Sequence, residues 1–153
     1  MPNTGALDRF LAEHAAAPEP VLIDLSPEEC LRLISPGGIG RVAFAGFDGP
    51  TVLPVTYVLH DGVVVFRTRA GGAMDHDLRT GMEGVDFKIA FEVDRIDETT
   101  HLGWSVLIRG PIHHLPDGER LSTVQPWAGG ERDLYITIRP QTVTGRRIAR
   151  RPV

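Results

Sequence analysis

The chain holds a single cysteine, Cys30, so no internal disulfide can form and a reducing, cytoplasmic setting is expected. It also holds a single lysine, Lys88; every other basic residue is arginine. Any anion site must therefore be built from guanidinium groups, hydroxyls or backbone N–H groups. No stretch approaches the roughly 20 consecutive apolar residues of a membrane-spanning helix, and no basic segment leads into an apolar run near the start. A soluble protein that engages no membrane is expected. With a formal net charge of −4, the field of the whole molecule does not draw in nucleic acid. Ser-His-Asp and phosphate-loop patterns are missing. His113 and His114 are neighbours on an expected strand and point to opposite faces, and the Asp-His-Asp run at 75–77 has no second cluster at ligand spacing, so no metal site is expected.

What is present suits one core: 153 residues at 42% hydrophobic content. Residues 4–16 carry apolar side chains at helical spacing before Pro-Glu-Pro breaks the pattern, which predicts an N-terminal helical extension over 1–24 and a single domain over 25–153. At 26–35, Ser26 suits a helix N-cap, Pro27 the first helical position and Glu29 the third position of a capping box, and Pro-Gly-Gly follows as a stop. Cys30 falls among apolar neighbours on that helix and reads as core.

From Ile39 the apolar period becomes two. "IGRVAFAG" sends Val42 and Phe44 to one face and Ile39, Arg41, Ala43 and Ala45 to the other. "TVLPVTYVLH", the turn "HDG" and "VVVFRTR" read as a hairpin, and "DFKIAFEVDRI", "HLGWSVLIRGPIHHL", "LYITIRP" and "TVTGRRI" as further strands. A short helix is expected near Met74. Six to seven strands joined by brief turns predict a mainly β fold, an antiparallel barrel with a few short helices.

The ordered segments "GRVAF", "LPVTYVLHDGVVVFRT", "FEVDRID", "GWSVLIRG" and "PWAGGERDLYITIRPQTVTGRRI" together resemble the pyridoxamine 5′-phosphate oxidase-like family of flavin-binding split barrels, over about residues 25–148. The resemblance implies a homodimeric antiparallel split β-barrel with flavin mononucleotide (FMN) at the interface, passing hydride or electrons to a small organic substrate. It places the flavin ring along Pro54, Val55, Thr56 and Tyr57 and its phosphate at Arg67, Thr68 and the turn at Gly72. Trp104 and Ser105 match a segment near the flavin and the dimer partner, and Trp127, in a loop, would either close over a ligand edge or pack across the dimer. Ala73 stands where such proteins commonly carry a lysine, and Thr56 where asparagine is frequent. Hydride transfer to a flavin requires no side-chain acid or base, so no catalytic residue is assigned.

The residues themselves allow the same placement. A guanidinium, a hydroxyl and glycine N–H groups at a strand end are suitable phosphate donors, although an ordinary solvated hairpin end has the same composition. Trp104 fits a barrel core equally well, and for Tyr57 the core is the favoured reading over a substrate-pocket donor. Arg146, Arg147, Arg150 and Arg151 suit a solvated terminus. Two other readings stay open: a cofactor-free barrel that binds a small molecule, and a reductase of the same fold using deazaflavin (F420).

Overall fold

The structure is a computed structural model and describes residues 5, 9, 19–72, 74–76, 88–115 and 124–151. The helix expected over 4–16 lies, apart from Gly5 and Arg9, outside the described residues, as does Ala73. In chain order the elements are β1 (Pro20–Leu25), α1 (Pro27–Ile34), β2 (Gly38–Gly46), β3 (Gly49–His60), β4 (Val63–Thr68), β5 (Lys88–Asp97), β6 (Leu102–His114), β7 (Leu134–Ile138) and β8 (Thr142–Arg150). Met74, Asp75 and His76 carry helical backbone.

All pairings are antiparallel, in the order β1-β8-β6-β5-β2-β3-β4-β7, and β7 pairs back onto β6. Six strands thus close a ring, which removes their edges, and β8 and β1 extend the sheet outside it. This is the expected antiparallel split barrel. The strand β1 is an addition to what the sequence predicts, which is a helical extension through residue 24. Its exposed residues alternate poorly because it lies on the edge of β8, away from the ring's interior.

The split is made by β6. Its residues Gly103–Arg109 pair with β8, and Ile112–His114 pair with β7. Gly110 stands at the exchange, where a Cβ would collide with the Arg139 carbonyl of the β7–β8 connection. That connection is tied on both sides: Arg139 N–H donates to the Pro111 carbonyl at 3.2 Å and Gln141 N–H to that of Arg109 at 2.9 Å.

Strand alternation turns Val42, Phe44, Val55, Tyr57, Val64, Phe66, Phe91, Val106, Ile108, Ile136 and Ile138 into one buried cluster. Val42 and Phe44 face inward as their spacing predicts. Each large apolar side chain buried there contributes about 1.5–3 kcal/mol. Tyr57 and Phe91 meet edge to face, with centroids 5.0 Å apart and planes at 73°. Gly40 leaves the space that the Phe91 ring occupies.

The helix α1 plugs one end of this cluster with Cys30 and Ile34. It begins with the predicted capping box: Glu29 N–H donates to Ser26 Oγ and Ser26 N–H to Glu29 Oε2, each at 3.2 Å. Tyr57 reaches it through the barrel, its hydroxyl donating to the Ile34 carbonyl at 2.9 Å. Burial pushes the Tyr57 phenol up to about 12 against a smaller opposing pull from Arg95. Burial, reinforced by Glu29, likewise pushes the Cys30 thiol up, as suits an inert core side chain. Among the described residues no helix is long and apolar enough to cross a membrane.

Two predictions follow from this packing. Gly110→Ala, which forces a methyl onto backbone that is hydrogen-bonded on both sides, should lower the urea unfolding free energy by about 3 kcal/mol, whereas Gly129→Ala in open space should change it by less than about 0.5 kcal/mol. The Tyr57 phenol has its pKa raised on folding, so its contribution is complete below about pH 10 and is lost as pH rises toward about 12. Urea melts between pH 8 and 11.5 should therefore show an alkaline loss of roughly 2 kcal/mol that is missing in Tyr57→Phe.

Candidate functional site

Because strand side chains alternate, each inward residue of the ring has an outward neighbour, and the outward set forms a continuous surface across β3, β2, β5, β6 and β8. At the β3 end lies a cavity of about 190 Å³. Ile39, Pro54, Val55 and Thr56 form its floor, Arg67 comes from β4, and the loop ahead of β7 contributes Trp127 and Arg132. Five of the residues expected from sequence, Pro54, Val55, Thr56, Arg67 and Trp127, are therefore brought together.

The loop is held over the floor by Arg67. Its Nε donates to the Arg132 carbonyl at 2.6 Å and Nη1 to the Val124 carbonyl at 3.3 Å, while Nη2 lies 3.6 Å from Asp133 Oδ1. The guanidinium carbon stands 5.1 Å from the centre of the Tyr135 ring. A weaker tie joins Trp127 N–H to Thr56 Oγ1 at 3.3 Å. Beneath the loop Val65, Val124 and Tyr135 form a small second core outside the barrel. The Trp127 side chain remains 77% exposed.

Arg132 was not singled out from sequence. Its Nε is buried and has no hydrogen-bond partner. Such an orphaned donor costs about 1–3 kcal/mol unless a ligand or solvent pairs with it. Only the folded loop reveals it, since in sequence it is one of many arginines.

Other expected site residues lie elsewhere. Thr68 follows Arg67 directly on β4 and is buried on the opposite face with Phe66, so guanidinium and hydroxyl do not converge on one anion. The turn at Gly71 and Gly72 uses its own donors: Gly71 N–H donates to Asp75 Oδ2 at 2.7 Å and Gly72 N–H to the Arg69 carbonyl at 3.2 Å. A buried carboxylate thus stands where the resemblance placed a phosphate. Tyr57 is a core residue with its hydroxyl engaged by α1 and does not line the cavity. Trp104 points inward and packs against the core.

Ser105, the outward neighbour of Trp104, lines a second and larger open groove of about 660 Å³ between β6, β8 and β1, with Leu107, Arg109, Thr144, Arg146 and Asp24. Between the two concavities Arg41 Nη1 lies 3.2 Å from Glu92 Oε2 and 3.4 Å from Asp94 Oδ2. Burial lifts the Glu92 carboxyl above the usual carboxylate range, Asp94 adds to the rise and Arg41 opposes it.

The sequence model of the pyridoxamine 5′-phosphate oxidase family matches residues 26–147. An uncharacterized protein of Mycobacterium tuberculosis, Rv0080, is 30% identical over 131 residues, which span 83% of this chain and 86% of its own. Among solved structures, an FAD-binding protein from Mesorhizobium loti superposes with a TM-score of 0.69 at 21% identity, covering 86% of this chain and 99% of its own. The FAD-binding protein from Mycobacterium smegmatis gives 0.62 at 23% identity, covering 84% and 100%.

The anchoring role of Arg67 is directly measurable. Arg67→Met should accelerate amide hydrogen exchange across residues 124–133 by about tenfold or more, the equivalent of losing one charge-assisted hydrogen bond, while protection in β5 and β6 is unchanged.

Proposed function

This chain belongs to the pyridoxamine 5′-phosphate oxidase family, and on that footing we propose that it is a flavin-binding protein that uses FMN to pass hydride or electrons to a small organic substrate. One observation carries the reading: the outward cavity sets an exposed indole and an apolar floor beside two guanidinium groups, one of which has an orphaned buried donor. A planar ring with an anionic tail needs that combination. The related barrels named above as FAD-binding support a flavin of some kind.

A bound flavin supplies the redox chemistry; the chain contributes binding, orientation and the shape of the open face. Trp127 and the floor residues Ile39 and Pro54 would hold the ring by apolar contact, and Thr56 would fix the loop that carries the indole. Arg67 and Arg132 provide positive charge at one end of the cavity.

One barrel offers too little enclosure, because about 190 Å³ falls below the roughly 300–1,000 Å³ of ordinary ligand pockets. We therefore place the site between two copies of the chain. The outward surface carries Leu22 and Val52 at 59% exposure each and Ile96 at 49%, an apolar complement that a two-fold partner would cover. The partner's larger groove would then bring Ser105 near the ligand.

A second reading, a cofactor-free barrel that binds another small molecule, is favoured by the self-closed turn in which Asp75 takes the Gly71 N–H. Titrating the purified protein with FMN, FAD and F420 while following absorbance and flavin fluorescence separates the two. Saturable FMN binding at micromolar concentration or tighter is expected, together with sedimentation as a dimer. If none of the three binds, the flavin reading is wrong; a monomer that binds FMN fully would refute the interfacial site alone.

A further inference from the structure

We propose that Arg132, not Arg67, is the residue that binds the ligand's anionic group, and that Arg67 acts as a positioning residue for it. The proposal rests on the cavity being a ligand site, as argued above, and assigns its charge recognition to a residue that the family resemblance did not point to.

Arg67 has little left to offer. A guanidinium presents its donors in a rigid planar fork, and that of Arg67 is held on three sides by the Arg132 carbonyl, the Val124 carbonyl and Asp133. One face is covered by Tyr135. An incoming oxyanion would have to compete with both carbonyls for these donors, and it would meet the Asp133 charge. Arg132 is the reverse case. It lines the same cavity, its Nε–H is buried without a partner, and among the described residues it makes no ion pair. Two guanidinium groups share a small cavity and, among the described residues, only that of Arg67 is ion-paired, so the guanidinium left to meet an anion is that of Arg132. The shortest hydrogen bond that Arg67 makes is to the Arg132 carbonyl itself. The side chain that sequence would choose as the ligand contact therefore fixes the backbone that carries the actual one. The class of ligand group is an oxyanion on a planar ring, a phosphate or a carboxylate.

FMN and riboflavin share the ring and differ in the phosphate, so the ratio of their dissociation constants isolates anion recognition. Arg132→Gln should weaken FMN by about 10- to 100-fold and riboflavin by less than about threefold, and Arg132→Lys should recover part of the loss. Arg67→Gln should also lower the preference for FMN, but not further when introduced into Arg132→Gln, because its effect passes through Arg132. An unchanged ratio in Arg132→Gln overturns the proposal, as does an equal loss from Arg67→Gln in both backgrounds, which would make Arg67 the direct contact. Pyrophosphate tests the anion site apart from the flavin. It should raise the melting temperature of the unaltered protein and not that of Arg132→Gln. Failure of FMN to bind with this response intact would sink the flavin reading and leave Arg132 as the anion residue; no response of the unaltered protein to either ligand would overturn both.

Discussion

Strand β6 serves two partners along one edge, and the rest of the architecture depends on how it changes from one to the other. Up to Arg109 it carries β8, and from Ile112 it carries β7. The change is possible because Gly110 lets the Arg139 carbonyl come close, and the bonds from Arg139 and Gln141 hold the connection against it. With β7 on β6 the ring closes around Tyr57, Phe66 and Phe91. With β8 displaced outward, a second sheet surface opens beside the ring. The two concavities described above lie on the outside that this arrangement creates.

The same alternation that fills the barrel supplies the candidate site. Residues one step away from the core set, Pro54, Thr56 and Arg67, face outward, and Arg67 uses its donors to secure the loop that bears Trp127 and Arg132. The cavity is thus a strand surface with a covering loop, and among the described residues one of its two arginines is ion-paired, to Asp133, and the other is not. The glycine turn after β4 is closed by Asp75 and takes no share in the cavity.

Much of the fold was legible because a period of two in apolar residues is a local property. Val42 and Phe44, the Ser26–Glu29 capping box and the His60–Val63 hairpin all appear as their spacing predicts. The strand β1 was not legible, since its apolar residues run together at 21–23 and its order comes from pairing with β8, far along the chain. For the site, the family segments point to Pro54, Val55, Thr56, Arg67 and Trp127, which line one cavity in the structure. They could not show that Thr68 turns inward, that Asp75 folds back on Gly71, or that Arg132 Nε is buried without a hydrogen-bond partner. Each of those facts depends on tertiary placement of a side chain.

The strand order also has a consequence in time. Pro20 pairs with Arg150, β2 waits for β5, and the ring closes only when β7 reaches β6. As the ribosome extends the chain, the hairpin of β3 and β4 can form early, but the barrel has no closed interior until residues 134–138 have emerged. Until then Val64, Phe66 and Ile108 have lining on one side only. A nascent chain of this kind passes through a long stage in which its most apolar strands are made and uncovered, and it has more need of shielding during synthesis than its small final size suggests.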